Sequence, residues 1–308
     1  MAKRDLLSML DVEDDLVGLL ELAQTIKRRH LAREAFEPLK DRSLAMIFEK
    51  ASTRTRVSFE VGMTQLGGHA LYLNPQDTQL GRGETVADTA RVLSRYVDGI
   101  LYRAFQHADM LELARWAPVP VINGLDDVEH PCQVVSYLLT IQEKRGGLED
   151  LTLAYVGDGN NVAQSLLLGG AIAGMTVRVA TPKGYEPDRT VVAKAREAAG
   201  RHGGRVEVLN DPREAATGAD VLYTDVWVSM GMEEEKELRM KAFAAYQLNA
   251  ELVDLAKEEC LVLHCLPAHR GLEITDEVID GPRSAVFEQA ENRLHAQKAI
   301  LARLLAGA

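Results

Sequence analysis

Residues 43–62 read SLAMIFEKASTRTRVSFEVG, and their pattern gives the clearest indication of the fold class. Its first six residues, Ser43 to Phe48, form a β-rich apolar run, which predicts a buried strand. After a short turn, the hydroxyl and arginine residues 52–56 lead into a helical pattern that continues through Phe59 and Gly62. A strand that passes directly into a helix in this way is typical of parallel α/β sheets.

The same alternation of strand and helix continues along the chain in two series. In the first series, strands are predicted at 43–48, 70–73, 99–101 and 119–122, with helices at 86–97 and 110–116. The second series starts after Arg145-Gly146-Gly147, with strands at 151–156, 176–180, 205–209, 221–224 and 260–264. Strands separated by helices predict an α/β fold with two doubly wound parallel-sheet domains of similar build.

The length of 308 residues also favours two domains, because a single core rarely organises so long a chain. We expect residues 1–145 to form the first domain and 146–289 the second, with a cleft between them. A helix predicted from Gln133 to Lys144 joins the domains and ends at the glycine pair. A further strand is expected at 285–287, followed by a final helix from about Asn292 to Leu305 that opens near Arg293.

Composition narrows the classes of partner. With 46% hydrophobic and 26% charged residues the chain has the balance of an ordinary globular protein, and its net charge of −11 argues against nucleic acid as a partner. Three cysteines are too few for a disulfide framework, which indicates a reducing compartment. The N-terminus does not resemble a signal peptide and no stretch approaches the roughly 18 apolar residues of a membrane span, so we expect a cytoplasmic protein without a membrane partner.

Residues 52–56 are candidates for an anion site. A helix N-terminus offers free backbone N–H groups, to which the serine, threonine and arginine side chains add further donors. Arg103 ends the third predicted strand and His130 follows the fourth. Because ligands in open α/β sheets bind at the carboxyl ends of the strands, we expect these donors to converge. A capped helix with a solvated basic turn, and a structural role for the histidine, are the competing interpretations.

The segment Ser52-Thr53-Arg54-Thr55-Arg56, taken with His130-Pro131-Cys132-Gln133, resembles the aspartate and ornithine carbamoyltransferase superfamily, and the resemblance covers nearly the entire chain. It implies an enzyme that transfers the carbamoyl group of carbamoyl phosphate without a cofactor. The residues that it implies for binding carbamoyl phosphate are Ser52, Thr53, Arg54, Thr55, Gln79, Arg103, His130, Pro131, Cys132, Gln133, Cys265, Leu266 and Arg293.

These implied roles are chemically reasonable. Attack on a carbonyl group builds negative charge on its oxygen, and Arg103, His130 and Thr55 are the candidates for donors at that point. Arg54 would neutralise the departing phosphate through charge-assisted hydrogen bonds. A role for Arg293 requires the segment 290–308 to return to the first domain, whereas an ordinary surface arginine is the alternative.

Gln79 stands in the glycine-containing loop Asp77-Thr78-Gln79-Leu80-Gly81. By resemblance this loop reaches into the site of a neighbouring subunit, which implies a homotrimer, or a multiple of trimers, with shared active sites. The loop lacks the serine and lysine typical of the aspartate branch, and a plain loop is the alternative interpretation.

The second domain resembles the ornithine branch in the segments that follow its first, fourth and fifth strands, which are Gly157-Asp158-Gly159-Asn160-Asn161, Asp225-Val226-Trp227-Val228-Ser229-Met230-Gly231 and His264-Cys265-Leu266-Pro267. The residues implied for ornithine binding are Asn161, Asp225, Ser229 and Met230. The residues implied for catalysis are Arg54, Arg103, His130, Asp225 and Cys265.

An acidic residue at a strand end suits the α-ammonium group of an amino acid, and Asp225 with Cys265 is expected to orient and deprotonate the incoming amine. A buried cysteine of purely structural role is the alternative for Cys265. Free ornithine fits these residues better than putrescine, lysine or an N-acylated ornithine. The implied product is citrulline, as in arginine biosynthesis, although the direction of the reaction is not fixed by the residues.

Three rival interpretations remain. A dinucleotide-binding enzyme would need a third glycine where Val162 stands and an acidic residue near Thr181-Pro182. A zinc site at His264, Cys265 and His269 lacks a standard ligand spacing, so no metal is expected. A non-catalytic relative that kept only the anion pocket would be expected to have lost some of the candidate catalytic residues, yet all of them are present.

Overall fold

The structure, a computed structural model, describes residues 3–74, 76, 78–228 and 233–307. The chain forms two compact units. Unit 1 comprises the residues up to Leu139 together with those from Glu291 onward, and unit 2 comprises Thr140–Ala290. Within the described ranges, no helix is both long and apolar enough to cross a bilayer.

Unit 1 is built on a four-stranded parallel sheet. Its strands are β1 Ser43–Phe48, β2 His69–Leu73, β3 Gly99–Arg103 and β4 Val121–Leu125, and its helices are α1 Leu16–Leu31, α2 Thr53–Gln65, α3 Val86–Leu93 and α4 His107–Trp116. Short 3-10 helices span Met9–Val12 and Leu80–Arg82. The strand order is β2-β1-β3-β4, so the connections reverse direction between β1 and β3. Helix α5, Pro131–Arg145, follows β4 and runs into unit 2.

Unit 2 is built on a five-stranded parallel sheet. Its strands are β5 Thr152–Val156, β6 Thr176–Ala180, β7 Arg205–Leu209, β8 Val221–Thr224 and β9 Leu261–His264. Its helices are α6 Asn161–Ile172, α7 Arg189–His202, α8 Pro212–Ala216, α9 Lys236–Ala242, α10 Ala250–Val253 and α11 Asp276–Ile279, with 3-10 helices at Glu233–Glu235 and Ala244–Tyr246. The strand order is β7-β6-β5-β8-β9, with the reversal between β5 and β8.

The predicted fold class is confirmed. Central strands of both sheets are buried along most of their length, as expected for parallel strands covered by helices on both faces. The chain passes between the units inside helices, because Leu139 and Thr140 lie in α5 and the second boundary falls inside α12, Val286–Leu301. A π-helical turn, Ala302–Ala306, follows α12.

The strand predicted at 285–287 is wrong. Ser284 forms a single parallel bridge with Val262, and the N–H of Ala285 donates to the carbonyl of Val262 at 2.9 Å, but α12 begins at the next residue. Val286 is buried and Phe287 is exposed, a pattern that fits the first turn of a helix. Arg293 consequently lies within α12 rather than at its start.

Helix α12 packs against α2 in unit 1. A Cβ atom on Gly62 of α2 would lie 3.3 Å from Cγ of Lys298 and 3.8 Å from Cδ1 of Leu301. The two helices therefore approach closely at a residue without a side chain, which brings Arg293 within reach of the first turn of α2.

Candidate functional site

The first turn of α2 is shaped by its own hydroxyl groups. Ser52 precedes the helix with extended backbone, and its Oγ accepts a hydrogen bond from the N–H of Thr55 at 3.3 Å. Thr55 is fully buried, and its Oγ1 accepts a hydrogen bond from Nη2 of Arg293 at 2.7 Å. A guanidinium from the C-terminal helix thus stands at the positive end of α2, where free N–H groups favour an anion.

Arg103 and His130 lie at the same sheet edge. Arg103 ends β3 and is paired in register with Phe48 at the end of β1, the strand that leads into α2. Arg103 is 8% exposed and His130 is 4% exposed. Burial, with Arg293 and Arg103 close by, holds the pKa of His130 well below its usual value. His130 is therefore a neutral imidazole, which can donate one hydrogen bond but adds no charge.

The residues after His130 form the start of α5. Pro131 is its first residue, a position where the missing N–H costs nothing. The thiol of Cys132 donates to the carbonyl of Asn123 at 3.3 Å, and burial raises the pKa of that thiol to about 12. Cys132 therefore packs as a small apolar residue rather than as a nucleophile. Gln133, 2% exposed, completes this buried turn.

The remaining predicted residues of unit 1 are more accessible. Thr53 is exposed and Arg54 is half-buried in the first turn of α2, as expected for groups that meet a ligand from solution. Gln79 precedes the 3-10 helix Leu80–Arg82, its side chain is exposed, and it forms no capping hydrogen bond with that helix.

Unit 2 carries a different cluster at its own reversal point. Asp225 follows β8 and is 6% exposed. Its Oδ1 accepts a hydrogen bond from the thiol of Cys265 at 2.8 Å, and its Oδ2 accepts one from Nδ2 of Asn160 at 2.9 Å. Asn160 also caps α6, because its Oδ1 accepts from the N–H groups of Val162 and Ala163. One side chain thus joins the start of α6 to the carboxylate after β8.

The loop after β9 is organised by His264. Its Nδ1 accepts from the N–H of Leu266 at 2.8 Å, and its Nε2 lies 3.2 Å from Oε1 of the buried Glu273. Leu266 has a φ of 56°, a backbone conformation that such a side chain seldom adopts. Asp225, His264 and Cys265 offer potential metal-ligand atoms within 4.8 Å of one another. Because both ring nitrogens of His264 are already engaged, the geometry favours a role in shaping the loop over metal binding.

The structure therefore distributes the predicted residues over the two units. Those of unit 1 are Ser52, Thr53, Arg54, Thr55, Gln79, Arg103, His130, Pro131, Cys132, Gln133 and Arg293. Cys265 and Leu266, expected at carbamoyl phosphate, lie in unit 2 with Asp225 and Asn161. Ser229 and Met230 lie outside the described residues.

Asn160 was missed by the sequence reasoning, which singled out only its neighbour Asn161. The available signal was its position before the apolar run of α6, where asparagine is a preferred N-cap.

Open α/β sheets bind ligands at such reversal points, so the fold and the clusters define a two-unit α/β protein with a cationic candidate site in one unit and an acid–thiol–amide candidate site in the other. Two family models match the chain: the carbamoyl-phosphate-binding domain of aspartate/ornithine carbamoyltransferases matches residues 4–143, and the aspartate/ornithine-binding domain matches residues 149–304. The chain belongs to the aspartate/ornithine carbamoyltransferase family.

Individual relatives are similar over their full length. An ornithine carbamoyltransferase of Symbiobacterium thermophilum is 59% identical over 98% of both chains. A catabolic ornithine carbamoyltransferase of Thermoplasma acidophilum is 53% identical over 99% of both chains. The solved structure of ornithine carbamoyltransferase from Pyrococcus furiosus has a TM-score of 0.97 and 55% identity, covering 100% of this chain and 98% of that one.

Proposed function

We propose that this chain transfers the carbamoyl group of carbamoyl phosphate to the δ-amine of L-ornithine, giving L-citrulline and phosphate. The observation that supports it most directly is the pairing of Asp225 with Cys265 and Asn160 at the reversal point of unit 2. A carboxylate held there suits an acceptor that carries an α-ammonium group. The full-length similarity to ornithine carbamoyltransferases supports the same acceptor.

Carbamoyl phosphate would bind in unit 1. Its phosphate would face the first turn of α2, where the N–H groups, Ser52, Thr53 and Arg54 supply donors. Its carbonyl oxygen would face Thr55, Arg103 and neutral His130, which donate hydrogen bonds as negative charge develops. Pro131, Cys132, Gln133 and Arg293 complete the proposed set in unit 1. The family resemblance also implies Cys265 and Leu266 for carbamoyl phosphate.

The acceptor would bind in unit 2 at Asp225 and Asn161, with Ser229 and Met230 as further proposed contacts. In the reaction, the neutral δ-nitrogen forms a bond to the carbonyl carbon and a tetrahedral intermediate results. The bond from that carbon to the bridging oxygen then breaks, phosphate leaves, and a phosphate oxygen takes the proton lost by nitrogen. Asp225 and Cys265 would orient the amine and assist its deprotonation.

A comparison of acceptors tests the proposal. Citrulline formation from carbamoyl phosphate is measured with ornithine, and carbamoylation is measured alongside with putrescine, lysine, aspartate and N-acetylornithine. We expect ornithine to give the highest kcat/KM, because putrescine lacks the α-carboxylate and N-acetylornithine lacks the α-ammonium group. A preference for aspartate, or no carbamoylation of any amine, would refute the assignment.

The proposed assembly is a homotrimer, or a multiple of trimers, with shared sites. The edge strand β2 and the outer face of α2 expose apolar side chains, with Val57 51%, Val61 37% and Leu71 41% exposed, as expected of a surface that another subunit covers. The exposed Gln79 would contribute to the neighbouring site. Mixing Q79A and R54G subunits after dissociation should restore activity in hybrids that contain an intact combined site. Activity no higher than that of either variant, despite exchange of subunits, would contradict shared sites.

The cysteines bear on the cellular compartment that we propose. The three cysteines are free, which supports a reducing compartment such as the cytoplasm. Two similar relatives are named catabolic at 53% identity, which conflicts with the expected biosynthetic role.

A further inference from the structure

The N-terminal segment of unit 1 runs beside β4 toward His130. The N–H of Leu6 donates to the carbonyl of Val121 at 2.9 Å, and the N–H of Asn123 donates to the carbonyl of Leu6 at 2.8 Å. The side chain of Asn123 donates to the carbonyl of Leu7 at 2.9 Å. Leu6 and Leu7 are thus hydrogen-bonded to β4, the strand that leads into the loop 126–130 before α5.

The N-terminal segment also binds the carboxylate of Glu129, the residue before His130. Glu129 is 4% exposed. Its Oε1 accepts a hydrogen bond from Oγ of Ser8 at 2.6 Å, and its Oε2 accepts one from the N–H of Met9 at 3.0 Å. Both carboxylate oxygens are therefore held by the start of the 3-10 helix Met9–Val12, which is 120 residues away in the sequence.

Other charged groups surround this contact. Asp126, fully buried, accepts from the N–H of Glu129 at 2.7 Å and lies 2.6 Å from Nδ1 of His107 on α4. Asp11, on the N-terminal 3-10 helix, accepts from the N–H of Ser8 at 2.9 Å. Burial raises the pKa of Glu129 to about 7, so its charge changes close to neutral pH.

We propose that Glu129 is a positioning residue that holds His130 in place by anchoring its loop to the N-terminal segment. This rests on the proposed function, in which His130 donates to the carbonyl oxygen. A carboxylate forms hydrogen bonds roughly twice as strong as those of a neutral acceptor, so the anchor is firmest when Glu129 is ionised. Glutamine at this position can keep the shape of the contact but not its charge.

The kinetic test is the ratio of kcat/KM for carbamoyl phosphate between the wild type and E129Q, measured with saturating ornithine. Titrations that Glu129 does not influence cancel in this ratio, whereas that of His107, whose pKa the Glu129 carboxylate helps to raise, does not cancel. We expect about a fivefold loss in E129Q near pH 8, shrinking toward no difference near pH 6, where Glu129 is largely protonated. E112Q, which makes the same change at an exposed position of α4, should match the wild type throughout. A ratio that does not vary with pH would overturn the proposal.

Hydrogen exchange of the peptide 126–133 supplies a readout that needs no substrate. At one pH near 8, E129Q and S8A should exchange this peptide about fivefold faster than the wild type, and S8T, which keeps the hydroxyl, should restore protection. Unchanged exchange in both variants would refute the anchor even if citrulline is formed. Faster exchange in E129Q and S8A, together with a wild-type protein that forms no citrulline, would support the anchor while refuting the proposed function.

Discussion

Unit 1 places Arg103, His130 and Arg293 beside the start of α2, whereas unit 2 places Asp225 and Cys265 beside the start of α6. Both clusters lie where the connections of a parallel sheet reverse direction. In each, a polar side chain caps the helix that follows a central strand: Ser52 caps α2 after β1, and Asn160 caps α6 after β5. The sheet topology therefore sets the position of the candidate site in both units. We expect the charge of the side chains to select the ligand, since the guanidinium groups of unit 1 would favour an anion and the carboxylate of unit 2 would favour an ammonium group.

The two sites also differ in the surroundings of their central residues, His130 in unit 1 and Asp225 in unit 2. In unit 1, two neighbouring guanidinium groups and burial keep His130 neutral. In unit 2, the carboxylate of Asp225 has a hydrogen-bond donor on each oxygen. The first arrangement concentrates positive charge around an uncharged donor, and the second fixes the direction of a negative group. Substitutions in one unit should therefore affect one substrate far more than the other.

The largest effect is expected for R54G in unit 1. Loss of a charged contact to the departing phosphate should lower kcat/KM for carbamoyl phosphate about 10³-fold, equivalent to roughly 4 kcal/mol of transition-state stabilisation. Steady-state kinetics with varied carbamoyl phosphate measure this, with R95G, a change at an exposed arginine, as the control. Near-normal turnover of R54G would remove Arg54 from the site.

D225N in unit 2 should have the next largest effect. The amide keeps the size of the side chain but not its charge, so KM for ornithine should rise about 100-fold, while KM for carbamoyl phosphate changes by less than about twofold. Measuring both constants separates the two sites. Equal rises in both would show that the clusters do not divide the substrates in this way.

Cys265 allows a finer test of the acid cluster. C265A removes the donor to Oδ1 of Asp225 and should lower kcat/KM for ornithine about tenfold, whereas C265S keeps a donor and should lose no more than about threefold. Equal losses would mean that the hydrogen bond to Asp225 is not what matters, and loss of all activity in both would point to a role for sulfur itself.

The smallest effect is expected from the titration of His130. Because burial and the neighbouring guanidinium groups lower its pKa well below the usual value, the imidazole should stay neutral where a free histidine titrates. The ratio of kcat between wild type and H130N should therefore vary by less than about twofold between about pH 6 and 9. In both proteins kcat should rise with pH as the bound amine loses its proton, provided that chemistry limits turnover. An inflection near 6.5 in the ratio would show that the imidazole is not shielded as described.

Much of the fold was predictable because buried parallel strands are short apolar runs. β1 was predicted with its observed bounds, and strands of unit 2 were placed within a residue. The exception at 285–287 shows the limit of periodicity, since a buried residue followed by an exposed one fits the first turn of a helix as well as a strand.

The residues of the candidate site were predictable only where a local pattern marked them. Residues 52–56 and 130–133 each precede or begin a helix, so their donors could be recognised along the chain. Asn160 was overlooked because its partner, Asp225, is 65 residues away and no local pattern links the two. Glu129 escaped attention for the same reason, since the groups that hold it belong to Ser8 and Met9.

The succession of most strands and helices along the chain, the charged residues at the strand ends and the family resemblance could be read from residues that are adjacent in the chain. The contact between Arg293 and Thr55, the sharing of Asp225 by Asn160 and Cys265, and the hydrogen bonds between Glu129 and the N-terminal segment are visible only in the folded protein. Such contacts form because a parallel sheet brings strand ends that are distant in the chain to one edge. Polar groups that are buried there need hydrogen-bond partners, and no local sequence pattern identifies those partners.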